Sequence, residues 1–194
     1  MNTVSMNRVK PHRPLKLHKP LVLFASPHPN GATAALLAAY LLREGIERAD
    51  CTFFDCYALR PEPCVDCGYC REHPACAFHD LDDFYEALEA ADRLILAAPV
   101  YNGGFPAPMK AVIDRLQVYF NARFVRGVRP PIAQEKRAAL LLTSGSAGEK
   151  RTALLPQLLP CFTVIHAEME TILEMPGTDA GWTAEQVAAL VENG

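Results

Sequence analysis

The chain has 194 residues, about half of them hydrophobic, and a formal net charge of −3. This length suits one domain with a substantial buried core, and the weak net charge excludes both a global polyanion-binding surface and an acidic disordered protein. No apolar run approaches the roughly 20 residues that cross a bilayer, and the N-terminus lacks the apolar segment of a secretion signal, so we expect a cytoplasmic protein without membrane or nucleic acid partners.

The first 20 residues differ in composition from the rest of the chain. They contain five Lys or Arg, three prolines and no acidic residue. We predict a basic extended arm over residues 1–19 and one domain over residues 20–194. Such an arm either binds a partner or packs as a solvated tail on the body or on another protomer.

Strand and helix patterns alternate along the domain. LVLFAS predicts the first strand, AALLAAYLLREG a helix closed by Gly45, and CTFFDCY the second strand. Asp82 or Asp83 is expected to cap the next helix. The segment RLILAAP predicts the third strand, and PAPMKAVIDRLQVYF predicts one helix opened by prolines.

The remaining pattern completes a five-stranded α/β fold. RAALLLT predicts the fourth strand, and Pro156 and Pro160 should bend or interrupt the following helix. A last strand is expected near Thr171–Leu173, before a terminal helix with a capping box of Thr183 and Gln186. Strands that alternate with helices predict a parallel sheet covered on both faces, a three-layer sandwich.

The loop after the first strand, SPHPNGAT, carries polar groups at a helix N-terminus and no acidic residue. Such a site suits a dianionic phosphate, although an ordinary capped turn is the alternative. The loop matches neither the phosphate loop of NTPases nor GxGxxG, which argues against an NTPase or a Rossmann dehydrogenase. The candidate binding residues are Ser26, His28, Asn30, Gly31, Ala32 and Thr33.

Two further loops follow strands three and four. PVYNGGFPAP joins an aromatic residue to glycines that allow close approach of a flat ring, and TSGSAG adds small residues with free backbone donors. Ligands of such sheets bind beyond the carboxyl ends of the strands, so we expect the three loops to form one site. The candidates in these loops are Pro99, Val100, Tyr101, Asn102, Gly103, Ser144, Gly145, Ser146 and Gly148.

These segments resemble the flavodoxin-like NADPH-dependent FMN reductase family, including its iron–sulfur flavoprotein branch. The resemblance lies in SPHPNGATAALL and in DLDDFYEALEAADRLILAAPVYNGGFPAPMKAVIDR, with CVDCGYCREHPAC between them. It covers about residues 20–175, and it is strongest over residues 21–115.

The resemblance implies a flavodoxin-like fold with FMN at the carboxyl edge of the sheet. The phosphate would lie on the first loop and the ring between residues 99–103 and 144–148, with NAD(P)H as cosubstrate and a homodimer or homotetramer as the assembly. His28 stands where an arginine is frequent, so phosphate affinity should be lower or pH dependent. Asp114 and Arg115 match the family pattern, and we interpret both as structural.

Four of the seven cysteines form the spacing CxxCxxCx5C. In a reducing compartment such a cluster favours metal or redox chemistry over disulfides, and soft thiolates at this spacing can surround one iron–sulfur cluster. The resemblance supports a 4Fe-4S cluster, while zinc or unmetallated thiols are the alternatives. The candidate ligands are Cys64, Cys67, Cys70 and Cys76. Cys51, Cys56 and Cys161 should be small buried side chains.

Our leading hypothesis is an FMN-dependent oxidoreductase similar to iron–sulfur flavoproteins. It would transfer electrons from NAD(P)H or a reduced carrier to a quinone, a small oxidant or a protein acceptor, with ferredoxin as an example of a redox partner. The flavin would perform the chemistry, so no catalytic side chain is assigned. The alternatives are a clusterless NAD(P)H:FMN or quinone reductase, a non-catalytic flavin electron carrier and a zinc-stabilised binding module.

Overall fold

The computed structural model describes residues 20–194, so the predicted N-terminal arm lies outside the described residues. The strands and helices, in chain order, are β1 (Leu21–Phe24), α1 (Ala32–Arg43), β2 (Thr52–Asp55), α2 (Cys56–Leu59), α3 (Tyr69–Glu72), α4 (Asp82–Ala90), β3 (Arg93–Pro99), α5 (Ala107–Arg115), α6 (Gln117–Phe124), β4 (Lys136–Ser144), α7 (Arg151–Ile165), β5 (Ala167–Pro176) and α8 (Ala184–Asn193). Single 3₁₀ turns lie at Arg48–Asp50 and Thr178–Ala180.

The five strands form one parallel sheet in the order β2-β1-β3-β4-β5. This order and the helices between the strands confirm the predicted α/β, flavodoxin-like fold. The strand order reverses between β1 and β3, which is the switch point where ligands of doubly wound sheets bind. In the register of the sheet, Leu21 is paired with Thr52 on one side and with Leu94 on the other.

Each face of the sheet packs against its own set of helices. Side chains alternate between the faces along a strand, so Leu21 and Leu23 lie in one core cluster while Val22 and Phe24 lie in the other. The first cluster is covered by α4, α5, α6 and α7, and the second by α1 and α8. The result is the predicted three-layer arrangement.

Several predicted helix ends are confirmed. Gly45 follows α1 with a φ of +65°, a left-handed conformation that favours glycine. At the start of α8, the Thr183 hydroxyl accepts from the backbone N–H of Gln186, and the Gln186 side chain accepts from the N–H of Thr183.

None of the helices within residues 20–194 is long and apolar enough to span a membrane.

The helix predicted over residues 106–120 is divided at Leu116 into α5 and α6. The carbonyl of Arg115 accepts a hydrogen bond from the hydroxyl of Tyr85 at 3.1 Å. The N–H of Tyr119 donates to Leu116 instead of Arg115, which tightens the chain into one turn at this point. The buried tyrosine hydroxyl therefore takes the carbonyl that a continuous helix would use.

Three other predicted features differ in part from the structure. Neither aspartate caps α4, because Asp82 already lies in its first turn and Leu81 occupies the capping position without a side-chain bond. Pro156 and Pro160 do not interrupt α7. They are four residues apart on its exposed side, where water can bond the backbone carbonyls that lose their helical N–H partner at each proline. The last strand, predicted near Thr171–Leu173, is longer, since β5 spans Ala167–Pro176 and alternates half-buried and exposed residues along its first part at the sheet edge.

The three cysteines outside the cysteine-rich loop, which we define as residues 64–76, differ in burial. Cys56 is fully buried as predicted, and burial raises the pKa of its thiol to about 12. Cys51 and Cys161 are only half-buried. The strand predicted over residues 51–57 ends at Asp55, because the Asp55 carboxylate accepts from the N–H of Tyr57 at 2.9 Å and starts α2.

Candidate functional site

The loops after β1, β3 and β4 meet at the carboxyl edge of the sheet. The backbone N–H of Ala25 donates to the carbonyl of Ala97 at 2.9 Å, and the N–H of Val100 donates to the carbonyl of Thr143 at 2.8 Å. These bonds extend the sheet pairing just past the strand ends. The candidate residues of the three loops are therefore brought to one edge, as predicted.

The first loop is folded back on itself by Ser26. This residue is buried, and its hydroxyl accepts from the backbone N–H of His28 at 3.2 Å. The N–H of Gly31 donates to the carbonyl of His28 at 3.0 Å, and a Cβ atom at Gly31 would lie 2.9 Å from the Cβ of His28. The side chains of His28 and Asn30 remain exposed. Only a residue without a side chain fits position 31 without a shift.

The N-terminus of α1 offers a site for an anion. Gly31 occupies the capping position without a side chain, and no acidic residue lies in the first turn of this 12-residue helix. The first N–H groups of a helix have no partner within it, and the helix dipole adds partial positive charge there. Within the described chain no side chain caps this end. A phosphate is the ligand that such an end favours.

Thr33 is placed differently from a simple phosphate ligand. Its hydroxyl lies 2.7 Å from the hydroxyl of Thr143, and both side chains are buried. One hydroxyl must donate to the other, so the pair keeps one proton to donate elsewhere. Thr33 therefore links α1 to the end of β4, in addition to lying beside the helix N-terminus.

The loop after β3 makes a tight turn. Tyr101 and Gly104 exchange two backbone hydrogen bonds, of 3.0 and 2.9 Å. The central residues Asn102 and Gly103 have φ values of +51° and +74°, which is the pattern of a type I′ turn. The turn leaves the ring of Tyr101 42% exposed at the site edge.

The loop after β4 has an acidic neighbour, Asp179, that was not identified from the sequence. The buried Ser144 hydroxyl donates to the carbonyl of Ser146 at 2.9 Å, and the N–H of Gly177 donates to the same carbonyl at 3.1 Å. A Cβ atom at Gly145 would overlap with the carboxylate of Asp179. Asp179 follows β5, a strand outside the three considered, so only the pairing of β4 with β5 reveals this contact.

All four cysteines of the predicted metal site line one cavity. Residues of the α5–α6 junction complete its wall, and the cavity has a volume of about 20 Å³. Cys70 and Cys76 are half-buried against the core, whereas Cys64 and Cys67 are exposed. Between residues 20 and 194, no three Cys, His, Asp or Glu side chains lie close enough to hold one metal ion.

The donor set of this cavity fits a thiophilic group. Four thiols, an apolar wall and a buried guanidinium suit an anionic metal–thiolate centre, and either iron–sulfur or zinc is compatible with thiolate ligands. The structure brings the predicted ligands to one cavity without drawing their sulfur atoms together. The identity of the bound group therefore stays a prediction.

Helix α6 and the segment just after it hold the middle of the cysteine-rich loop. The amide Nδ2 of Asn121, a buried residue, donates to the sulfur of Cys70 at 3.1 Å. The guanidinium of Arg126 donates to the backbone carbonyls of Cys70 and His73, the latter at 2.6 Å. Neither Asn121 nor Arg126 was singled out from the sequence, because both lie about 50 residues after the loop.

Arg115 joins the two ends of the cysteine-rich loop. Its side chain is 1% exposed, and its guanidinium donates to the carboxylate of Asp80 at 2.5 Å and to the carbonyls of Phe78 at 2.9 Å and Glu62 at 3.4 Å. The other Asp80 oxygen accepts from the N–H of Glu62 at 2.9 Å. Burial would raise the pKa of Asp80, but the hydrogen bonds from Arg115 and from the N–H of Glu62, together with the charge of Arg115, keep this pKa below its usual value.

The cavity and the loop after β3 lie at opposite ends of α5. This nine-residue helix begins at Ala107, just after the loop that follows β3, and ends at Arg115 beside the cavity. Nine helical residues span about 12 Å along the axis. Asp114 forms an ion pair with Lys110 at 2.6 Å on the half-exposed side of the helix.

Comparisons with known proteins agree with this geometry. The sequence profile of the family described as NADPH-dependent FMN reductase matches residues 19–173. An iron-sulfur flavoprotein from Methanosarcina thermophila is 50% identical over 54 residues, which is 27% of this chain and 28% of the relative. An iron-sulfur flavoprotein from Methanocaldococcus jannaschii is 31% identical over 109 residues, covering 54% of this chain and 56% of the relative.

The alignments thus span between about a quarter and just over half of the length of these curated relatives. Among solved structures, an NAD(P)H:quinone oxidoreductase from Methanothermobacter marburgensis superposes with a TM-score of 0.63. It shares 22% identity, and the match covers 89% of this chain and 90% of that chain. This likeness shows that the two chains share a fold.

Proposed function

The chain belongs to the NADPH-dependent FMN reductase family, and on that premise we propose that it is an FMN-dependent oxidoreductase. It takes electrons from NAD(P)H or a reduced carrier and passes them to a quinone, a small oxidant or a protein acceptor. NAD(P)H:quinone oxidoreductase is the name of a solved structure with the same fold, which supports the quinone as one acceptor class.

One observation carries this proposal: α1 begins uncapped at the switch point of the sheet. Its N-terminus lies at the same edge of the sheet as the loops after β3 and β4, and we assign the phosphate and the ring to this edge. Bound FMN would accept a hydride and release electrons, which is chemistry the protein itself does not supply. The chain's own part is to bind and orient the cofactor.

The roles of the loop residues follow from their positions. We assign the phosphate to the α1 N-terminus and to the side chains of Ser26, His28, Asn30 and Thr33. The exposed imidazole of His28 can reach an anion in solvent, and the Thr33–Thr143 pair retains one donor proton. Residues 99–103 and 144–148 would flank the ring, where Tyr101 provides an exposed aromatic face.

We further propose that the cysteine cavity holds an iron–sulfur cluster of the 4Fe-4S type on Cys64, Cys67, Cys70 and Cys76. The support is the single cavity that all four residues line, together with the similarity to curated relatives named iron-sulfur flavoproteins. A cluster exchanges single electrons, so it would connect the flavin with one-electron partners such as ferredoxin.

A clusterless reductase is the second candidate. It is favoured by one observation: within the described residues the four thiols are not close enough together to bind one ion. In that case the chain would reduce a quinone or free flavin directly, and the cavity would be a structural feature. A cytoplasmic location and the absence of a nucleic acid partner stay predictions.

We also propose a homodimer or homotetramer. Exposed apolar side chains on and after α6 support self-association, namely Phe120, Phe124, Val125 and Val128, which are 41 to 56% exposed. The rings of Phe120 and Phe124 lie 4.7 Å apart, so they form one apolar surface. Sedimentation of Phe124→Glu against the unchanged chain tests this, and an unaltered oligomer would contradict this surface.

Anaerobic purification followed by flavin release, iron and sulfide analysis tests the function. The proposal predicts about one FMN per chain, bleaching of the flavin absorbance by NAD(P)H or by a reduced carrier, and iron with sulfide in equal amounts. Cys67→Ser should lose the iron and keep the FMN, whereas Cys51→Ser, a change outside the cavity, should keep both. FMN without iron in the unchanged chain would favour the clusterless reductase.

A further inference from the structure

The guanidinium of Arg115 has one donor without a partner. Its two Nη atoms bond Asp80 and the carbonyls of Phe78 and Glu62, but its Nε–H is buried and has no partner anywhere in residues 20–194. A buried donor left unpaired costs about 1–3 kcal/mol, so native proteins almost always satisfy it. In the part of the chain that the structure describes, this is the single buried side-chain polar atom without a partner.

The same residue lines the cavity that contains the four cysteines. It is therefore a buried cation beside thiols that become anionic when they bind a metal. The Asp80 carboxylate accepts a hydrogen bond from Nη1 and balances the positive charge of the guanidinium on the side away from Nε. The unpartnered donor and the cavity are two independent observations that share one side chain, and an acceptor with negative charge would satisfy both.

We propose that the Nε–H of Arg115 donates a hydrogen bond to a sulfur atom of the metal–thiolate centre in the cysteine cavity, either a cysteine thiolate or an inorganic sulfide. The inference rests on the proposed cysteine ligation. Arg115 is then a positioning residue with two tasks: its Nη atoms join the ends of the cysteine-rich loop, and its Nε stabilises the negative charge of the bound group.

A hydrogen bond and a positive charge beside a cluster favour its more negative, reduced form, so they raise its reduction potential. Arg115→Lys keeps a charge that can bond Asp80 but removes the Nε–H. We expect a lower cluster midpoint potential and roughly tenfold faster iron loss to a chelator, the scale typical of outer-shell partners. FMN content should not change.

Arg93→Lys is the matched control, since Arg93 is 12% exposed and pairs with Glu44 at 2.5 Å outside the cysteine cavity. Asp80→Asn separates the electrostatic task from the structural one. This change weakens the connection between the loop ends and leaves the positive charge of Arg115 without its carboxylate. The midpoint potential of the cluster should therefore rise. If Arg115 had only a structural role, Asp80→Asn would change the potential in the same direction as Arg115→Lys.

Each outcome decides the inference. If Arg115→Lys has the potential and iron retention of Arg93→Lys, the proposal is wrong, although the cysteine ligation stands. If Arg115→Lys does not fold, Asp80→Asn decides alone, and a fall in its potential would overturn the hydrogen bond. An unchanged chain without iron or sulfide after anaerobic reconstitution would overturn the ligation and this inference together.

Discussion

The side-chain amide of Asn121 donates a hydrogen bond to the sulfur of Cys70 at 3.1 Å, across 51 residues of sequence. Asn121 is buried on α6, and Cys70 lies in the half-buried part of the cysteine-rich loop. Asn121 therefore orients a predicted metal ligand and can stabilise its thiolate, a role that partners of metal ligands commonly have.

Replacing Asn121 by leucine should weaken iron retention roughly tenfold while FMN stays bound, because the sulfur loses a donor. Iron release to a chelator, followed by absorbance, measures the effect. Tyr119→Phe is the control on the same helix, since its hydroxyl donates to Glu89 and not to the cavity. Equal release rates in the two variants would contradict the assigned role.

The Thr33–Thr143 pair predicts an energetic coupling between α1 and β4. Either single change to valine should lower the free energy of unfolding by about 1–3 kcal/mol, since the remaining hydroxyl stays buried without its partner. The double variant should lose less than the sum of the two. Urea unfolding of the flavin-free chain measures this, with exposed Thr163→Val as control, and additive losses would show that the pair is not coupled.

Lys136 predicts a pH dependence of stability. It is buried at the start of β4, where its Nζ donates to the carbonyl of Gln134 at 2.9 Å. Burial lowers the pKa of Lys136 to about 8, although Glu89 and Asp92 oppose this shift. The unfolded chain holds the proton up to its ordinary pKa of about 10.5, so it binds more protons than the folded chain between pH 8 and 10.5.

The free energy of unfolding should therefore gain a contribution from Lys136 that rises from pH 8 to 10.5. The contribution is at most about 3 kcal/mol, and the full cost is present below pH 8. Lys136→Met should be more stable at pH 7, and the difference from the unchanged chain should shrink as the pH rises. A difference that is constant from pH 7 to 10.5 would show that this lysine titrates normally.

The sequence predicts those parts of the fold that depend on local patterns. Buried parallel strands are continuous apolar runs, so β1, β3 and β4 were located closely, and the Thr183–Gln186 capping box is a local motif. The division of α5 from α6 depends on the hydroxyl of Tyr85, 30 residues away from Arg115. Local propensity carries no information about such a bond.

The same distinction applies to the candidate site. Loop residues near a strand end can be assigned to the sheet edge from their position alone, as with Ser26 and Tyr101. The contacts of Asp179 with Gly145 and of Asn121 with Cys70 join distant segments, and they become visible only when strand order and helix packing are known. The role of Arg115 beyond the ion pair with Asp80 depends on burial, which one sequence does not report.

The proposed function depends on the binding of a mononucleotide phosphate at the N-terminus of α1. Calorimetric titration of the flavin-free chain with FMN and with riboflavin tests it most directly, because the two ligands differ only in the phosphate. We predict that FMN binds at least about tenfold more tightly, the effect of roughly 1.4 kcal/mol from the helix end and its donors. Equal affinities for the two flavins, or no binding of either, would contradict the account.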